Sequence, residues 1–122
     1  MEDLTQKLGN MFFAKNKINE EEECCSERIL KLADKLDKMK IPFKAVALFG
    51  CVDQLKFDWC DSDIICHIGS YGHEKGLFEV MGEAIMTTEE LAKDSVAGYI
   101  TMRDAIKRIK QAYKKYKEQA WT

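Results

Sequence analysis

Proline is almost missing from this chain, occurring once among 122 residues, at Pro42, and glycine occurs only seven times. So little of either excludes long extended or flexible linkers. Long hydrophobic runs are missing too: no stretch approaches the roughly 20 apolar residues that span a bilayer. The start, Met1-Glu2-Asp3-Leu4, lacks the basic and then apolar pattern of a secretory signal. Paired metal-ligand spacings such as Cys-x-x-Cys are absent as well. The five cysteines (Cys24, Cys25, Cys51, Cys60 and Cys66) are odd in number and two are adjacent. Free thiols in a reducing cytoplasm suit that pattern better than a disulfide framework. The expectation is a cytoplasmic protein with no membrane association.

What is present suits one globular domain over residues 1–122. The hydrophobic fraction is 46%, ordinary for a folded protein. A chain of this size buries roughly two-thirds of the surface its unfolded form exposes. The net charge of −2 points to no partner by itself, but the charge is unevenly placed. Glu20 to Glu23 form an acidic run, while the last 20 residues are rich in lysine.

Leu4, Leu8, Met11 and Phe12 recur at helical spacing, so the first dozen residues read as a short helix. Asn19 offers an N-cap, with Glu22 as its capping-box partner, to a long amphipathic helix carrying Cys25, Ile29, Leu32, Leu36 and Met39. That helix should stop before Pro42. Beyond it the period changes. Phe43 to Phe49 is strand-like, and Leu55, Phe57 and Trp59 alternate with polar residues. A two-residue loop at Asp61-Ser62 would pair Trp59 with Ile64, Phe57 with Cys66 and Leu55 with Ile68, all on one apolar face. Leu77, Phe78, Met81, Ala84 and Ile85 return to helical spacing. Thr87 to Leu91 can begin another turn, Gly98 interrupts, and Thr101 N-caps a last helix whose buried stripe is Ala105, Ile106, Ile109, Ala112, Tyr113 and Tyr116. The expected fold is α+β: a small antiparallel sheet of two or three strands, with a hairpin at about 53–69, packed by four or five helices.

Four constellations bear on function. Cys60, His67 and His73 could converge on zinc, which makes a zinc-stabilised domain one alternative, although buried thiols are the plainer explanation. The glycine-rich stretch Gly69 to Gly76 could cradle phosphate, but it matches neither G-x-G-x-x-G nor the Walker pattern, and a tight turn is the plainer explanation. Cys66 and His67 are adjacent on a strand, so they face opposite sides and form no nucleophile–base pair. Lys107, Arg108, Lys110, Lys114 and Lys115 could contact nucleic-acid phosphates, although basic residues late in a helix also suit its dipole. No complete catalytic motif emerges, and a binding protein without cofactor is expected. Its expected contacts lie on the hairpin's polar face (Lys56, Asp58 and His67) and in the loop (Ser70, Tyr71, His73, Glu74 and Lys75).

Two stretches, QLKFDWCDSDIICHIGSYGHEKGLFEVMG (Gln54 to Gly82) and DSVAGYITMRDAIKRIK (Asp94 to Lys110), resemble small accessory proteins of tailed phages and prophages of Gram-positive bacteria. The resemblance covers somewhat less than half the chain, and its most distinctive element is the Gly-Ser-Tyr-Gly-His-Glu-Lys-Gly loop. It brings no catalytic residues. It implies a non-enzymatic inhibitor or regulator of a host nucleic-acid-handling or defence protein such as a nuclease, an anti-CRISPR-type inhibitor being the specific expectation. A nucleic-acid-binding module using the basic C-terminal helix is a further alternative.

Overall fold

A computed structural model of the chain describes residues 23–48 and 50–120, with side chains from Glu27 onward. The expected first helix and the Asn19–Glu22 cap lie outside the described residues. Helix α1 spans Glu23–Lys38 and buries Ile29, Leu32, Ala33 and Leu36, the three-and-four spacing of an amphipathic helix. It ends ahead of Pro42 in a Schellman-type turn. Lys40 takes φ 59, its N–H bonds the Asp37 carbonyl, and the Ile41 N–H reaches back to the Leu36 carbonyl. Ile41, the residue after the left-handed turn, is buried.

Five antiparallel strands follow, β1 (Lys44–Ala47), β2 (Val52–Phe57), β3 (Ser62–Ile65), β4 (Phe78–Met81) and β5 (Val96–Ile100), arranged side by side in chain order. A 3₁₀ turn, His73–Lys75, precedes β4, and a short helix α2, Thr88–Lys93, precedes β5. Helix α3 (Met102–Ala120) closes the described part, with Thr101 Oγ1 accepting the Asp104 N–H as expected of its N-cap. Ala105, Ile109 and Ala112 of α3 join α1 and one face of the sheet (Leu55, Phe57, Ile64, Phe78, Val80, Ala97 and Ile100) in a single core.

The architecture corrects the expected one. Among the described residues there are five strands and three α-helices, in place of two or three strands and four or five helices. The hairpin is also shorter and pairs differently: Leu55 faces Ile64 and Phe57 faces Ser62. The connection takes the four residues Asp58 to Asp61, with Asp61 at φ 51. Trp59 lies past the end of the strand, where its indole N–H bonds the Pro42 carbonyl. The stretch expected as a helix from Leu77 holds β4 instead. Phe78 and Val80 point into the core while Glu79 and Met81 point out, and so short a segment, apolar at Leu77, Phe78, Val80 and Met81, satisfies either period. Gly98, expected as a break, lies within β5.

Two bulges shape the sheet. On β2, Val46 faces Gln54 but Ala47 faces Val52. Asp53 is therefore the extra residue, and its carboxylate accepts the Leu48 N–H at 2.7 Å. On β5, Phe78 faces Ile100 while Val80 faces Ala97, so Gly98 and Tyr99 share the space of one residue. The first bulge brings Val52 into the same core as Leu55. The second distorts an edge strand, β5, which protects the sheet from pairing with other chains.

Candidate functional site

The loop between β3 and β4 packs against the bulge of β5 and is reached by Arg28 of α1. Within that loop Ser70 is the buried pivot: its hydroxyl accepts the His67 N–H at 3.0 Å and donates to the His67 carbonyl at 2.8 Å. His73 Nδ1 lies 2.8 Å from the Ser70 carbonyl, an acceptor only, so Nδ1 carries the proton there. The loop is fastened at three further points. The Tyr71 N–H donates to Glu79 Oε1 at 3.1 Å. The Tyr99 N–H donates to the Tyr71 carbonyl at 3.2 Å. Arg28 of α1 donates through Nε to the Gly76 carbonyl at 3.1 Å.

Two glycines make this seating possible. A side chain at Gly98 would place its Cβ 2.2 Å from the Tyr71 Cβ, so Tyr71 lies in the space Gly98 leaves open. Gly72 turns at φ 99, and its Cβ would meet the backbone of Tyr99 at 3.0 Å. The loop can press against β5 only with no side chain at either position.

Three large side chains stand out from this seat: Ile68 is 70% exposed, Tyr71 56% and Tyr99 54%. Tyr99 is held in the bulge at φ 59, a region that bulky residues avoid. The Lys75 ammonium lies 6.0 Å above its ring. The charge of the nearby Glu74 carboxylate, and then its attraction for the hydroxyl proton, push the Tyr99 hydroxyl above its usual range. A bond from the Glu74 backbone N–H, with smaller help from Tyr99, holds the Glu74 carboxyl below its own. The result is a braced aromatic patch flanked by one charge of each sign.

Among the residues expected at the site, His67, Ser70, Tyr71, His73, Glu74 and Lys75 come together in this loop. Ser70 faces inward as scaffold. Lys56 and Asp58 lie elsewhere, lining a cleft of about 690 Å³ with Cys60, Asp61, Asp63 and Glu83. Burial pushes the Asp63 carboxyl up there, partly offset by the hydrogen bond from Gln54 and the charge of Lys56, and burial likewise raises the Cys60 thiol. Cys60 thus lies in the β2–β3 turn and the two histidines in the loop. Among the described residues no three His, Cys, Asp or Glu side chains are grouped as a metal site requires. Sequence reasoning missed Ile68 as an exposed residue, Tyr99, and the support from Arg28 and Gly98. The β-prone string Val96-Ala97-Gly98-Tyr99-Ile100 was the available signal for a strand at Tyr99.

The expected nucleic-acid residues also divide. Arg108 is engaged within the fold. It donates to Glu90 through both terminal nitrogens, at 2.7 and 2.9 Å, and to Asp104 at 3.1 Å. It also bonds the Ile85 carbonyl. The contact with Arg108 drives Glu90 down to about 2. Lys107, Lys110 and Lys114 are exposed along one row of α3, and Lys115, also exposed, lies about 100° round the helix from Lys114. No helix among the described residues is long and apolar enough to cross a membrane.

No family model matches the chain, no curated protein matches it, and no solved structure matches it.

Proposed function

We propose that this chain is a non-enzymatic binding protein that grips a protein partner through Ile68, Tyr71 and Tyr99. The partner is a host nucleic-acid-handling or defence protein, the kind of target that the resemblance to phage accessory proteins implies. One observation carries the binding surface. A tyrosine is held at positive φ with its ring exposed, braced by Glu74, Lys75 and the loop backbone. Strain of this sort costs on the order of 1–3 kcal/mol and persists where the surroundings impose it, commonly at ligand-binding positions. Rigid, exposed tyrosines bind with little loss of conformational freedom and are prominent among residues that dominate interfaces. Glu74 and Lys75 beside them supply charge selectivity.

The test is capture from bacterial lysate on the tagged chain, with nuclease present, comparing the wild type with Tyr71→Ala/Tyr99→Ala. A protein retained by the wild type should bind the double variant about 30-fold more weakly, the loss expected for two anchoring side chains. The variant should keep a cooperative melt close to that of the wild type. Equal binding by both chains would remove this surface from the interface. Retention that disappears with nuclease would transfer the activity to nucleic acid.

A further inference from the structure

A second surface is built from different residues. Where α1 turns into β1, Met39 and Ile41 face the C-terminal half of α3 across a groove of about 600 Å³. Its floor is apolar, made by these two residues and Tyr113, and three lysines, Lys110, Lys114 and Lys117, stand around it with one carboxylate, Glu118. Two further basic residues continue the row toward the start of α3. Arg103, Lys107, Lys110, Lys114 and Lys117 follow one another at intervals of four, three, four and three residues, and all five are exposed. That spacing keeps them on one stripe of the helix, about 21 Å long at 1.5 Å per residue. None of the five is ion-paired among the described residues, whereas the neighbouring Arg108 has three acceptors.

We infer that this groove and ridge receive an acidic amphipathic helix of a partner protein. Carboxylates repeated every three or four residues along such a helix match the basic row over about four turns, and its apolar row enters the groove. The site stands on different residues from the Tyr71–Tyr99 surface and does not depend on it. A nucleic-acid backbone would answer the charge but not the apolar floor. Base stacking is also poorly served, because Tyr113 is already engaged: Trp59 lies 5.0 Å away edge-on, Tyr116 stacks at 6.0 Å, and the Lys117 ammonium lies 5.5 Å over its ring.

The experiment uses the full chain and a fluorescein-labelled synthetic helix of about 16 residues, with leucine every three or four positions and glutamate on both flanks. Controls are the same peptide with lysine replacing glutamate, the same peptide with serine replacing leucine, and single- and double-stranded DNA of similar length. Fluorescence anisotropy should show the acidic peptide binding at least about tenfold tighter than either control peptide, and more weakly as salt rises. Lys110→Glu/Lys114→Glu should cost about tenfold or more in affinity, with an unchanged thermal melt, since both side chains are exposed. Equal binding of the acidic and lysine peptides would overturn the inference, as would DNA binding that the double variant abolishes while peptide binding persists. A photo-crosslinking amino acid replacing Lys114 gives a separate readout. Crosslinks to the acidic peptide, competed by unlabelled peptide, support the site. Crosslinks to residues 1–22 of the chain or to a second copy, undisturbed by the peptide, would overturn it.

Discussion

Two aromatic groups in this protein use the same residue types to opposite ends. Trp59, Tyr113 and Tyr116 come from the β2–β3 turn and from α3. Trp59 packs against Phe57, Tyr113 and Tyr116 at centroid distances of 5.7, 5.0 and 5.6 Å, and its N–H is satisfied by the Pro42 carbonyl. Tyr71 and Tyr99 come from a loop and a bulge, and their rings stand in solvent. The first group joins the end of a helix to the turn of a hairpin, so its rings lower the energy of the fold directly. In the second, backbone hydrogen bonds and missing glycine side chains hold the rings in place, and the rings return little to the fold. Aromatic content therefore does not separate core from contact surface here. The separation comes from what lies behind each ring: helix and strand side chains in one case, bare backbone in the other.

The sharpest way to break the comparison is Trp59→Ala. The ring is half-buried and touches a fully buried phenylalanine. Its loss should cost about 2–4 kcal/mol, toward the lower end of the range for large aromatic truncations, and lower Tm by on the order of 10 °C. Urea unfolding followed by circular dichroism measures it. A loss no greater than that of Tyr71→Ala would show that the first group is as dispensable to the fold as the second.

A smaller effect belongs to the latch between α2 and α3. Thr87 and Glu90 form a capping box, and the same Glu90 receives Arg108, whose side chain is only 16% exposed. Glu90→Gln should cost about 1–2 kcal/mol, between an exposed ion pair and a fully buried charged hydrogen bond. The pH dependence has a definite sign. Glu90 in the folded chain titrates at about 2, below its ordinary 4.5. The contribution is therefore complete above pH 4.5 and is lost as pH falls toward 2. Stability of the wild type should fall through that window more steeply than that of Glu90→Gln. Parallel curves would mean that the latch carries no linked proton.

These particulars show what could be read from the sequence and what could not. The α1 periodicity, its stop before Pro42 and the Thr101 cap were legible because each is a local signal repeated or reinforced within a few residues. The hairpin's apolar face was legible although its register was not. Leu55 was expected opposite Ile68 and stands opposite Ile64, a displacement of four residues, and an even displacement keeps Leu55, Phe57 and Ile64 on the apolar face, while Ile68 falls beyond β3 and is exposed. The true turn depends on the Trp59 bond to Pro42, 17 residues away. The fate of Arg108 depends on Glu90, 18 residues away, and adjacent lysines concealed it. In the candidate site, the loop residues were found because glycine, tyrosine and histidine cluster there. Tyr99 was not, because Gly98 reads locally as a breaker and becomes a seat for Tyr71 only once β5 is beside the loop.

The finest test of the comparison is at Tyr99 itself. If its φ of 59 is imposed by the bulge and serves the exposed ring, the chain should be at least as stable with glycine there. Tyr99→Gly removes the steric penalty of the left-handed conformation, about 1 kcal/mol, and loses only solvent-exposed contacts, so Tm should stay level or rise slightly. Tyr99→Val keeps a side chain in the same conformation and branches it at Cβ, so it should be less stable than Tyr99→Gly by about 1–2 kcal/mol. Both should weaken partner capture. A glycine variant that melts well below the wild type would mean that the Tyr99 ring supports the fold after all, and the two aromatic groups would then differ in degree rather than in purpose.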